Sequence, residues 1–222
     1  MAPTTIDIKI CGLKTADALE TALDSGASHV GFIFFPKSPR HLSPQDAASL
    51  REAASGRAKT VAVTVDADDA TLDDIVNTVK PDILQLHGKE TPERVAAVKK
   101  RYNLPVMKAF SIREAADLDA IRPYVGIADR FLFDAKPPKG SDLPGGNGVS
   151  FDWTVLRSLD AHIDYMLSGG LNAGNIAEAL QLTNAPGIDI SSGVESAPGV
   201  KDIGLIEDFF KAVRTATKAD AA

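Results

Sequence analysis

The feature that most constrains this chain is an alternation sustained from one end to the other. Short runs rich in β-branched and aromatic residues are each followed by a longer segment with apolar residues at helical spacing. The runs predicted as strands are 7–11, 29–34, 60–65, 83–87, 106–110, 130–134, 165–168 and 187–191. Helices are predicted at about 15–27, 44–55, 69–80, 92–102, 113–122, 151–159, 173–182 and 203–216. Ser43-Pro44 and Thr91-Pro92 each supply an N-cap followed by proline at the first helical position. Asp46 completes a capping-box-like pattern with Ser43, and Asn172 is a further cap candidate. Strands that alternate with helices pair in parallel. Eight such units in succession predict an α/β chain folded as a single (β/α)8 barrel. The expected domain spans 1–222, with a short alanine-rich tail fraying from about 216. The alternative is an open doubly wound sheet, but only Cys11-Gly12 follows the first strand where such a sheet would carry GxGxxG.

Composition narrows the function classes. The 222 residues are 44% hydrophobic, enough for one sizeable core. A single cysteine excludes an internal disulfide framework and points to a reducing, cytoplasmic setting. No apolar stretch approaches the roughly 20 residues of a membrane helix, and residues 1–7 lack a signal-peptide pattern. A net charge of −6 argues against a nucleic-acid partner, though not against a small anionic ligand. The four histidines show no metal-ligand spacing, so no metal or cofactor is expected. The expected partner is a small molecule, and the pattern leaves monomer and homodimer open.

A barrel sorts side chains by strand alternation. Ile6, Ile8 and Ile10 would face the helices, so Lys9 and Cys11 would face the barrel axis. Gln85 and His87 would share a face, as would Asp189 and Ser191. Lys9 and Asp189, on neighbouring strands one and eight, would pair inside the barrel, where an unpaired charge is costly.

Barrel chemistry gathers at the carboxyl ends of the strands. Those ends carry Cys11, the loop Phe35 to His41, His87, Asp134, Ser168-Gly169-Gly170 and Ser191-Ser192-Gly193. The last two loops, with Gly145-Gly146-Asn147-Gly148, suit a phosphate held by backbone N–H groups. Arg40 has the planar fork that grips a carboxylate or phosphate. Asp134 ends an apolar run, where partial burial would keep it a proton donor. Cys11 would be its base, with the nearby lysine and a helix N-terminus after strand eight raising the thiolate fraction. The bland readings remain open for each: a buried cysteine, a capping aspartate, a surface arginine and ordinary turns.

Seven motifs in order carry a resemblance. They are Lys9-Ile10-Cys11-Gly12-Leu13, Gly31 to Arg40, Gln85-Leu86-His87-Gly88, Phe133-Asp134-Ala135-Lys136, Phe151-Asp152-Trp153, Leu167 to Leu171 and Asp189 to Glu195. Together they resemble the phosphoribosylanthranilate isomerase family of tryptophan biosynthesis over nearly the whole chain. The resemblance implies a cofactor-free Amadori rearrangement of N-(5-phosphoribosyl)anthranilate. It implies Asp134 as general acid and Cys11 as general base. It implies Arg40 as the group holding the anthranilate carboxylate, and the loops around Gly146, Gly169, Gly170, Ser192 and Gly193 as the phosphate site. Asp189 and His87 would support or line the site. Asn147 departs from the family pattern, which more often has serine or threonine there.

Other phosphate-binding barrels compete. A ribulose-phosphate epimerase would need metal ligands at the rim, and an indole-glycerol-phosphate synthase a strand-end glutamate with its lysine; neither is evident. A non-catalytic phosphosugar-binding barrel would have no need of both Cys11 and Asp134.

Overall fold

The computed structural model describes residues 6–137, 140 and 144–219. Its eight main strands close into a parallel barrel in sequence order. They are β1 (Asp7–Cys11), β2 (His29–Phe34), β3 (Lys59–Thr64), β4 (Ile83–Leu86), β5 (Val106–Ile112), β6 (Arg130–Ala135), β7 (Tyr165–Leu167) and β8 (Gly187–Ile190). The ring is sealed between β1 and β8, with Lys9 opposite Asp189 in register. Strand alternation divides the core as expected. Ile8 and Ile10 join the large cluster beneath the helices, with Ile6 packed against it. Cys11 joins Val61, Val63, Met107, Leu132 and Met166 inside the barrel.

The outer ring holds α1 (Ala16–Ser25), α2 (Pro44–Ala54), α3 (Asp69–Val79), α4 (Pro92–Tyr102), α5 (Ile176–Thr183) and α6 (Ile203–Ala219). Ser43 and Thr91 accept from Asp46 N–H and Arg94 N–H, and Ser43 also bonds the Asp46 carboxylate at 2.6 Å. Three expectations change. The helices predicted at 113–122 and 151–159 are 3₁₀ segments, Ala115–Tyr124 and Trp153–Ser158. Pro123 lies within the first and cannot supply an α-helical N–H. Asn172 does not cap α5: its carboxamide accepts from Gly174 N–H, making a turn that delays the helix to Ile176. The tail expected to fray from about 216 is helical to Ala219, because Val213 and Ala216 pack on the core and Thr217 bonds back to the Val213 carbonyl. Residues 220–222 of that predicted tail lie outside the described residues.

One element was not predicted. Between β8 and α6 the chain makes a single 3₁₀ turn, Ser192–Val194, and then a small hairpin of β9 (Glu195–Ala197) and β10 (Val200–Lys201). Its turn rests on the loop after β2, where a side chain at Gly199 would strike the Pro39 carbonyl.

Candidate active site

The carboxyl ends of the strands open into one cleft of about 760 Å³, lined by Cys11, Arg40, His87, Asp134, Asp189 and the glycine loops. Cys11 is held at the end of β1, where the chain turns sharply through Gly12 at φ +77°. A side chain at Gly12 would overlap the Arg40 stem, so this glycine lets the β1 and β2 loops pack together.

Lys9 lies one step below Cys11 and is completely buried. Its Nζ donates to Asp189 Oδ1 at 2.8 Å, the pairing that strand alternation predicts. Asp189 Oδ2 receives Ser168 Oγ at 3.4 Å. Lys9 also reaches toward the thiol. A β-carbon placed on Gly31 would lie 3.0 Å from Cys11 Sγ and 3.1 Å from Lys9 Nζ, so both end groups meet over one bare glycine. Burial works against the charge on Lys9, but Asp189 and the thiol outweigh it and raise its pKa. For Cys11 the balance runs the other way. Burial pushes the thiol above its ordinary value, and Lys9 offsets this only in part. Lys9 does favour the thiolate, as expected, but the net shift is upward because desolvation of the sulfur exceeds the pull of a cation already shared with Asp189.

Asp134 stands on the opposite side, 5% exposed near the end of β6. Its Oδ1 accepts from the Ala135 N–H at 2.8 Å. Its Oδ2 faces His87 Nε2 at 3.5 Å. Gln85 Nε2 lies 3.0 Å from the other ring nitrogen, His87 Nδ1, on the shared face of β4.

Arg40 is not a solvated surface residue: it is 4% exposed. Its Nε and Nη2 donate to the two Glu195 oxygens at 2.7 and 2.8 Å, and Nη2 also reaches Gly146 O at 3.3 Å. Glu195 is shared with Lys201, whose Nζ bonds it at 2.7 Å and Ser191 O at 2.9 Å. Burial opposes both charges of the Arg40–Glu195 pair, yet the contacts win, raising the arginine pKa and lowering that of the glutamate. For Lys201 burial prevails and its pKa falls. Two cations against one anion leave this corner positive. Glu195 and Lys201 were missed as functional candidates. The signal was Pro198-Gly199, a turn dipeptide that predicts a hairpin bringing residues 195 and 201 together.

The glycine loops come together as a wall. Gly146, Asn147, Gly169, Gly170 and Ser192 line the cleft. Gly193 does not; it sits behind the wall, where a side chain would overlap the Leu171 carbonyl oxygen. Gly170, at φ +64°, packs against the backbone of Val149 and Ser150. Glycine is thus required for loops six, seven and eight to touch through their backbones. Among the described residues, none accepts a hydrogen bond from the backbone N–H of Gly169, Gly170, Ser192 or Gly193. Also among the described residues, no three His, Cys, Asp or Glu gather to hold a metal ion, and no helix is long and apolar enough to cross a membrane.

A (β/α)8 barrel whose cleft gathers a thiol, a carboxyl group, a cationic corner and a wall of backbone donors defines an enzyme-like site suited to proton transfer on a small anionic ligand. Comparison with known proteins narrows the class. The family model described as N-(5'phosphoribosyl)anthranilate (PRA) isomerase matches residues 8–212. N-(5'-phosphoribosyl)anthranilate isomerases of Brucella abortus (strain S19) and Brucella suis biovar 1 are 75% identical over 211 residues, covering 95% of each chain. Phosphoribosyl anthranilate isomerase from Thermotoga maritima superposes with a TM-score of 0.85 at 32% identity, covering 95% of this chain and all of that one. A phosphoribosyl anthranilate isomerase in complex with reduced 1-(o-carboxyphenylamino)-1-deoxyribulose 5-phosphate gives 0.83 at 29% identity, with coverage of 95% and 100%. The chain belongs to the N-(5'-phosphoribosyl)anthranilate isomerase family.

Proposed function

We infer that the isomerisation of N-(5-phosphoribosyl)anthranilate, this enzyme's reaction in tryptophan biosynthesis, proceeds here by general acid–base catalysis, with Asp134 as acid and Cys11 as base. The observation that carries this reading is that the two groups, from β1 and β6, line one cleft whose remaining wall offers backbone donors and a cationic corner. Asp134 gives its proton to the furanose ring oxygen, and the C1–O bond breaks to leave an open-chain Schiff base. The Cys11 thiolate then takes the proton from sugar C2, and the electron pair flows to the nitrogen as an enolamine. Reprotonation at C1 and loss of the C2 hydroxyl proton yield the ketone, 1-(2-carboxyphenylamino)-1-deoxyribulose 5-phosphate.

The raised thiol pKa has a chemical consequence. A thiolate formed against burial is a stronger base than an ordinary one, at the cost of a smaller resting fraction. The glycine wall at Gly146, Gly169, Gly170 and Ser192 holds the phosphate through N–H groups, with Gly193 fixing the wall from behind. Arg40 receives the anthranilate carboxylate. Glu195 already occupies Nε and Nη2, so the contact is made end-on from Nη1. Asp189 supports the site through Lys9. A thiol base works best where it is kept reduced, which supports a cytoplasmic setting for the reaction.

The test is turnover of freshly made substrate, followed by loss of its fluorescence. Cys11→Ala and Asp134→Asn should each lower kcat by about 10³-fold or more, on the scale of a lost general acid or base. Cys11→Ser should fare little better, since a hydroxyl is a far weaker base. Near-native turnover in any of the three would remove that residue from the mechanism.

A further inference from the structure

His87 and Gln85 have no part in the two proton transfers, yet both are ordered beside the acid. His87 follows β4 and Asp134 lies near the end of β6, and the two meet across the cleft with Nε2 3.5 Å from Oδ2. Gln85 is 1% exposed and sets its amide nitrogen 3.0 Å from the other ring nitrogen. An amide N–H that donates to Nδ1 leaves the imidazole proton on Nε2, the nitrogen that faces Asp134. The Gly145 backbone roofs the contact: any side chain there would overlap Asp134 Oδ2 and come within 2.7 Å of His87 Nε2.

We propose that His87 is a positioning residue for the acid, holding Asp134 through Nε2–H in a tautomer fixed by Gln85, and is not a ligand of the substrate. This rests on the reading of Asp134 as the proton donor. Asp134 Oδ1 is already bonded to the Ala135 N–H, which on that reading leaves Oδ2 as the oxygen that delivers the proton. While Oδ2 carries it, a second N–H aimed at the same oxygen has little to bond, and 3.5 Å is too long for a hydrogen bond. When the proton leaves for the ring oxygen, Oδ2 gains a full acceptor and the contact tightens. In this role His87 donates a hydrogen bond and transfers no proton. The interaction is thus stronger after proton release than before, the kind that raises kcat and leaves substrate affinity alone.

The experiment compares kcat and KM for the native enzyme, His87→Leu, His87→Gln, Gln85→Leu and Asp134→Asn, with circular dichroism to establish the fold of each. His87→Leu should lose about 10²-fold in kcat, the scale of one donor to a developing oxyanion, with KM within about threefold of native. Glutamine places an N–H close to where Nε2 stood, so His87→Gln should recover at least about tenfold of that loss. Gln85→Leu frees the tautomer and should lower kcat by about three- to tenfold, again without raising KM. A raised KM with native kcat in His87→Leu would make His87 a substrate ligand and overturn the proposal. So would native kinetics in His87→Leu, or no rescue by glutamine. An active Asp134→Asn would instead overturn the assignment of the acid itself, so the two failures are distinct.

Discussion

Lys9 and Asp189 are the pair whose removal has the most calculable effect. At 2.8 Å and an effective dielectric near 20, their attraction is about 6 kcal/mol before desolvation is charged against it. Lys9→Met leaves the Asp189 carboxylate in the barrel interior with only the Ser168 hydroxyl, at 3.4 Å. Asp189→Leu leaves a fully buried ammonium without its counter-ion. Breaking such a pair from one side costs about 3–5 kcal/mol, whereas replacing both members with apolar groups is close to neutral. Domains of this kind have about 5–15 kcal/mol to lose, so the single variants should remain folded in the absence of denaturant. The assay is urea unfolding of Lys9→Met, Asp189→Leu and the double variant. The two single losses should exceed the double loss by at least about 3 kcal/mol, with an unchanged m-value. A coupling below about 0.5 kcal/mol would refute the buried-pair argument. The same samples give a second reading. Without Lys9 the Cys11 thiol should move further upward, so alkylation by iodoacetamide should set in at higher pH in Lys9→Met.

Other outcomes follow from contacts elsewhere in the site. Glu195→Gln removes the one anion between Arg40 and Lys201, and should raise KM by about tenfold or more and cost about 3 kcal/mol in urea unfolding. Because burial holds the Cys11 thiol up, kcat/KM should still be rising with pH at about 8.5, the ordinary thiol value; a rising limb complete below neutrality would refute this. Gly193→Ala forces loops seven and eight apart and should cost about 1–3 kcal/mol, with KM rising more than kcat falls. On the opposite face of the barrel, burial lowers the His29 pKa from 6.5 to about 4. The unfolded chain therefore binds the extra proton first, and stability should decline as pH falls from 6.5 toward 4. His29→Gln should flatten that part of the urea-midpoint profile.

Strand number, order and facing were legible because each depends on patterns within a few residues. Alternation along β1 correctly separated Lys9 and Cys11 from Ile8 and Ile10. The caps at Ser43 and Thr91 were equally local. The 3₁₀ segments were not: their apolar spacing suits a helix, and in the first Pro123 withholds an N–H that an α-helix would use. At the site, the types and places of Cys11, Asp134 and Arg40 were readable from strand ends. What escaped was who neutralises whom. Glu195 reaches Arg40 across 155 residues of chain, and no local pattern encodes that meeting. The sign of the Cys11 shift escaped for the same reason: it is a competition between burial and a lysine already engaged by a carboxylate.

The seam between β1 and β8 divides the chemistry between the chain's two halves. Cys11, Arg40 and His87 all belong to the first four strands and the loops after them, whereas Asp134, the glycine wall and Glu195 belong to the last four. With Asp134 as the proposed acid and Cys11 as the proposed base, neither half carries both. Arg40 meets its counter-ion, and Lys9 its carboxylate, only when the ring closes. Turnover is therefore a reporter of circular assembly. A chain cut at the exposed end of α4 would give two catalytically silent pieces, and any activity recovered on mixing them would count closed rings.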